Sequence, residues 1–293
     1  MIGVAVMRKL MFMLLLAAVL LGSMMTTGVA QSMPEYDGPP WEFEVELKDI
    51  IEDFLRLASA AEPMAADYEP KDLTPLTARR NDVDGNNTND GIYMAAAGTI
   101  HLRKQAANAL FNLVNAAEAD GLTLYVRAGY RDYADQEKRY ARAERQGDTA
   151  TTQKAGECDY QTGLAVTLVN REYRGKTLEA KAFAKTAESK WLQENAARFG
   201  FIVRYPDGKD SVTGWAWEPW HLRFVGVSVA RYIRQNNLTL EEFRTVLDGA
   251  YDEFRARGGD VETAIAASRL PDGPVVLAEM GPDGDNEIIL FHD

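Results

Sequence analysis

The chain has 293 residues, 46% hydrophobic and 26% charged, the balance of a globular protein able to bury its own core. A single cysteine, Cys158, excludes an intramolecular disulfide and a cysteine-rich zinc module. Lys and Arg number 32 against 44 Asp and Glu, a net charge of −12 that suits neither nucleic acid nor anionic membrane.

Arg8 and Lys9 precede an apolar run from Leu10 to Leu21, and small and polar residues follow as far as Ala30. That order predicts a secretory signal peptide over 1–30, cut after Ala30. The run is shorter than the roughly 20 residues of a spanning helix. Its removal takes two bases and no acids, leaving an exported, extracytoplasmic chain with no membrane segment.

Residues 31–62 read as a Pro-rich linker followed by an N-terminal helix, with Phe43, Val45, Leu47, Ile50, Ile51, Phe54 and Leu55 at helical spacing. Asp82, Asp84, Asn86 and Asp90 offer oxygens to a hard cation. Asn87 and Tyr93 stand where a calcium loop needs its glycine and its bidentate acid, so the tract reads as a solvated turn. A helix is predicted from Leu102 to Ala119, then a strand over 122–128 and a charged helix from Asp132 onward. Strands follow over 163–169, 201–205 and 217–224, with a long helix from Leu178 to Phe199 closed by Gly200. Trp215 and Trp217 are expected on one face of the last strand. Thr239 and Glu242 form a capping box for a helix through Arg255, and the 248–293 extension ends in a hairpin. Helices and strands mix without a βαβ rhythm, which predicts α+β: a small, mainly antiparallel sheet flanked by helices in one domain over 63–247.

Three stretches carry chemistry: RAGYRDYADQ (127–136), GECDYQTGLAVTLV (156–169) and RYPDGKDSVTGWAWEPWHLRFVG (204–226). In order and spacing they resemble the VanY-type zinc D-alanyl-D-alanine carboxypeptidases, over about Pro63 to Leu247. That resemblance implies a D-Ala-D-Ala carboxypeptidase-like fold acting on peptidoglycan stem peptides. It also implies a catalytic zinc with three protein ligands and an open water position. By the resemblance, Glu218 matches the general base and His221 the third metal ligand. Arg131 matches an arginine that holds substrate carboxylate or oxyanion. Gln136 matches the family's later glutamine and Gln161 its central motif, and with Arg131 and Trp220 of the EPWH element they are expected to bind substrate.

The resemblance breaks at the metal. Tyr160 occupies the first histidine position and Thr167 the aspartate position seven residues on. Threonine is a poor zinc ligand, and water without a metal keeps a pKa of about 15.7 instead of about 7. Zinc is therefore expected to bind weakly, with no other cofactor. Three functions stay open: a stem-peptide binder on an impaired carboxypeptidase scaffold, an active hydrolase with a remodelled zinc or Cys158 thiol centre, or a scaffold module without catalysis. Cys158 lies two residues before Tyr160, so an extended segment would turn both to one face.

Overall fold

Leu102, Ala106, Leu110, Leu113 and Ala117 recur every three or four residues, and all are buried in one apolar cluster. Four of them form the inner stripe of α1 (Lys104–Ala119). The computed structural model describes residues 36–76, 92–95 and 98–269. The expected signal peptide, the 82–90 tract as far as its last acid and the C-terminal hairpin lie outside the described residues. The chain divides into two units, Met1–Tyr36 and Asp37–Asp293, and the second carries everything below. Among the described residues no helix is long and apolar enough to cross a membrane.

Two sheets are present among the described residues. The smaller pairs β1 (Leu73–Pro75) with β3 (His101–Arg103), antiparallel. The larger has five strands: β2 (Tyr93–Met94), β4 (Tyr125–Ala128), β5 (Ala165–Val169), β7 (His221–Phe224) and β6 (Phe201–Val203), in that spatial order. Every pairing in it is antiparallel except β2 with β4. This is the α+β architecture the sequence predicts.

The period of two decides what each strand gives to which face. Val126, Val166, Leu168, Leu222 and Phe224 point into the main core beneath α1. Their neighbours Ala165, Thr167, His221 and Arg223 point to the opposite face, where the polar chemistry gathers. A register shift between Val126 and Ala128 bends the edge of β4 as it leads into the Gly129–Tyr130–Arg131 turn.

The charged stretch forms α2 (Tyr133–Gln146), started by Asp132, whose side chain accepts from the Asp135 N–H, and closed by left-handed Gly147. After α6 (Val227–Gln235) comes α7 (Leu240–Ala256), opened by the predicted Thr239–Glu242 capping box. The last described element is α8 (Val261–Ser268).

Three local expectations are corrected. Residues 43–55 are not a helix but two 3-10 turns, Leu47–Asp49 and Glu52–Phe54. Side chains claim the carbonyls that helical bonds would use: Arg223 donates to Phe54 O at 3.0 Å and Arg56 O at 2.8 Å, and Arg269 donates to Ile50 O. Second, the helix expected over 178–199 is broken into α3 (Ala180–Phe183), α4 (Ala187–Asn195) and a 3-10 turn ending at Gly200. Thr186 makes the break, bonding back to Phe183 O and capping the Ser189 N–H. Third, Trp215 and Trp217 are on no strand. They follow the short α5 (Asp210–Thr213), in the irregular segment before β7.

Candidate functional site

The EPWH element is a turn, which explains why a glutamate and a histidine three residues apart meet. Pro219 stiffens the second turn position, and Glu218 O accepts the His221 N–H at 3.0 Å. The turn brings Glu218 Oε2 to 2.8 Å from His221 Nδ1. Glu218 Oε1 accepts from the Trp215 indole N–H at 3.0 Å, so both carboxylate oxygens are engaged.

His221 opens β7 and stands opposite Thr167 on β5. The Thr167 hydroxyl is hydrogen-bonded to the Tyr160 hydroxyl. The Tyr160 ring stacks on the His221 ring at 4.5 Å, and Tyr205 meets that imidazole edge-on at 5.0 Å. On the Tyr160 ring also lies the Arg131 guanidinium, 4.3 Å from its centroid. Burial first, then the Glu218 carboxylate, push the Tyr160 phenol above its ordinary pKa, so it keeps its proton.

Tyr160 is held by a 3-10 turn, Asp159–Thr162, ended by Gly163. Gly163 has φ +70°, and a Cβ there would sit 2.9 Å from Arg103 Cγ and 3.1 Å from Leu73 Cδ2. The segment is thus not extended as expected, although Cys158, Tyr160 and Ala165 still pack together. Gly129 matters by close approach: a Cβ would lie 2.5 Å from Ile100 Cγ2 and 2.9 Å from His101 O. That contact seats the Tyr130–Arg131 turn against β3. The Arg131 N–H then bonds to Tyr160 O at 3.3 Å, tying the two motifs together.

Arg131, Gln136, Cys158, Tyr160, Thr167, Glu218 and Trp220 all line a cavity of about 980 Å³. Arg131 Nη1 donates to Gln136 Oε1 at 3.0 Å, and the Gln136 amide in turn donates to Gln153 O. Gln161 and His221 are not among its lining residues. Gln161 is buried, its oxygen accepting the Gly156 N–H, so it braces a loop where the resemblance implied substrate contact. His221 is 1% exposed, beneath Tyr160. Trp220 packs its ring against Phe183 on the cavity wall.

Asp159 is the functional neighbour that sequence reasoning missed. Fully buried, it pairs with Arg223, lies 3.4 Å from Arg204 Nε and 3.5 Å from His221 Nε2. Arg204 also grips Glu241 through two hydrogen bonds at 2.6 and 3.1 Å. Burial alone would raise the Asp159 pKa, but Arg223, the nearby His221 imidazole and Arg204 together hold it well below the usual carboxylate range. For His221 burial lowers the pKa, and the neighbouring Asp159 and Glu218 carboxylates outweigh this, leaving it raised.

These residues do not fit a catalytic zinc. Tyr160 and Thr167 are bonded to each other, and His221 offers one imidazole whose Nδ1 already bonds Glu218. Among the described residues no group of three or more His, Cys, Asp or Glu could hold a metal ion. Cys158, packed with Tyr160 and Ala165, adds one thiol and does not complete a set of three donors with His221.

The site is thus a His–Glu turn on a mainly antiparallel sheet, beside an arginine-lined cavity. The model of the D-alanyl-D-alanine carboxypeptidase (VanY) family matches residues 99–227. YodJ of Bacillus subtilis (strain 168), assigned as a carboxypeptidase, is 36% identical over 197 residues, 66% of this chain and 67% of that protein. The D-alanyl-D-alanine carboxypeptidase of Enterococcus faecium is 26% identical over 201 residues, 68% of this chain and 60% of that one. The solved structure of the LD-carboxypeptidase LdcB, described as revealing the molecular basis of peptidoglycan recognition, is 32% identical with a TM-score of 0.58. That likeness covers 70% of this chain and 98% of the LdcB chain. The chain belongs to the D-alanyl-D-alanine carboxypeptidase family.

Proposed function

We propose that this protein is exported, holds peptidoglycan stem peptides in the Arg131 cavity, and does not cleave them by zinc-dependent hydrolysis. One observation carries the reading: at the two positions where the family resemblance expects metal ligands stand Tyr160 and Thr167, hydrogen-bonded to each other over His221. The frame that would seat a peptide persists around them, with Arg131 on Gln136 and Trp220 on the wall. Membership of the family and the likeness to LdcB support a cell-wall peptide as the ligand.

Glu218 is the base by resemblance, yet in this chain it joins Trp215 to His221. Its role here is to hold the imidazole and the turn. Arg131 keeps the role of binding a carboxylate, since its protein partner, Gln136, is neutral and leaves the positive charge for a ligand. The test is calorimetric titration of the mature chain with zinc and with a stem pentapeptide, beside an assay of D-alanine release. Peptide binding with no release and no tight zinc site is the expected result. Release of D-alanine by the unaltered protein would overturn the reading. N-terminal sequencing of secreted material should begin near Gln31.

A further inference from the structure

The protein is acidic, yet this cavity is lined by Arg127, Arg131, Lys138, Arg139 and Arg142. Two of these cations are occupied. Arg127 donates to the carbonyls of Tyr173 and Lys176, and Lys138 lies 3.3 Å from Asp135. Asp135, Asp148 and Glu218 are the carboxylates on the wall, and none lies within ion-pairing distance of Arg131, Arg139 or Arg142. Among the described residues, three guanidiniums therefore share one cavity without a bound acid.

Their arrangement follows from α2. Arg139 and Arg142 are three residues apart on that helix, so they stand on one face about a turn apart. Arg131, just before the helix, lies on Tyr160 at the inner end. Arg131 is the strongest influence depressing the pKa of Arg139; burial adds to it, and Asp135 offsets it only in part. Like charges held this close repel until an anion enters between them.

We infer that the cavity takes a peptide with two carboxylates, one on Arg131 and a second held by Arg139 and Arg142. This rests on the peptide-binding reading and adds the chemical class of the ligand. A peptide with only its terminal carboxylate satisfies Arg131 and leaves the α2 pair unmatched. A second carboxylate on the same peptide matches it, and guanidinium forks suit carboxylates in two-point contacts.

The probes are two acetylated peptides titrated by calorimetry: Lys(acetyl)-D-Ala-D-Ala, with one carboxylate, and the same peptide extended by γ-linked D-Glu, with two. The second should bind at least tenfold more tightly, with a steeper loss in added salt. The R139Q/R142Q variant changes exposed helix positions and should lose that tenfold while binding the first peptide as before. If both peptides bind equally well to the unaltered protein, the second carboxylate site is overturned and the binding function stands. The second site is equally overturned if the variant weakens both peptides alike or neither. If neither peptide binds the unaltered protein, the binding function fails and this inference fails with it.

Discussion

Thr167 and His221 face each other across the β5–β7 ladder, and the Tyr160 that bonds the first stacks on the second. At the three positions that the resemblance treats as a metal's ligands, two hydroxyls thus bond each other and one ring covers the imidazole. A buried hydroxyl left without a partner costs about 1–3 kcal/mol, so the Tyr160–Thr167 bond is a condition for burying both groups. The neutral pair fills the site through packing and hydrogen bonding, and it leaves no acceptor set for a divalent ion.

Replacing both positions should reverse this. Y160H/T167D places an imidazole and a carboxylate beside His221, the donor types a zinc prefers. The double variant should bind zinc at least tenfold more tightly than the unaltered chain in calorimetry, since even the residues that merely orient a metal's ligands shift affinity by about 10–100-fold. Equal binding by the two proteins would show that Tyr160 and Thr167 are not what keeps the metal out.

Cys158 should be chemically quiet. Its thiol is 1% exposed, with a pKa pushed up to about 11, so little thiolate exists at neutral pH. Iodoacetamide at about pH 8, near the ordinary thiol pKa, should label it only after denaturant is added, with mass spectrometry as the readout. Rapid labelling of the folded protein would revive the thiol centre.

Asp159 should control the acid limb of stability. Its folded pKa lies below the ordinary value, so its contribution is complete above about pH 4 and fades as the pH falls toward the lowered one. His221, raised above its ordinary value, acts with the opposite sign: its contribution is present below about pH 6.5 and lost as the pH rises through the raised value. Asp159→Asn leaves Arg223 and Arg204 buried without their shared anion and should cost about 3–5 kcal/mol. Urea melts from about pH 2 to about pH 7 check both points, because the variant should lose the acid-side slope as well as stability.

Much of the frame is legible in the sequence because periodicity reports burial. The α1 stripe, the short β-branched run at Ala165–Val169 and the Thr239–Glu242 box are all local patterns with local causes. The 43–55 segment misled because its apolar spacing is helical while its carbonyls are claimed by Arg223 and Arg269, remote in sequence. The break at Thr186 is a hydroxyl competing with the backbone, a choice that spacing alone does not reveal. At the site, the motifs locate Arg131, Glu218 and His221. Asp159 is hidden between Cys158 and Tyr160, at a position to which the resemblance gives no role. The available signal was Arg204, just after β6, and Arg223, within β7, each in an otherwise apolar run, since buried guanidiniums require a buried acid.

The Tyr160–Thr167 contact can be separated from the ring stack by a double-mutant cycle. Tyr160→Phe keeps the ring on His221 and under Arg131 but leaves the Thr167 hydroxyl, on a residue only 4% exposed, without its partner. That change should cost about 1–3 kcal/mol. Thr167→Val similarly strands the Tyr160 hydroxyl. With both groups gone, Y160F/T167V presents two apolar faces of nearly unchanged shape, and its loss should be smaller than the sum of the single losses by about 1 kcal/mol or more. Chemical denaturation of the four proteins gives the coupling directly. Peptide affinity should stay within about twofold throughout, because Arg131 still has its ring and Gln136. Purely additive losses would mean that the two hydroxyls are satisfied independently, and that the site is filled by ring packing alone.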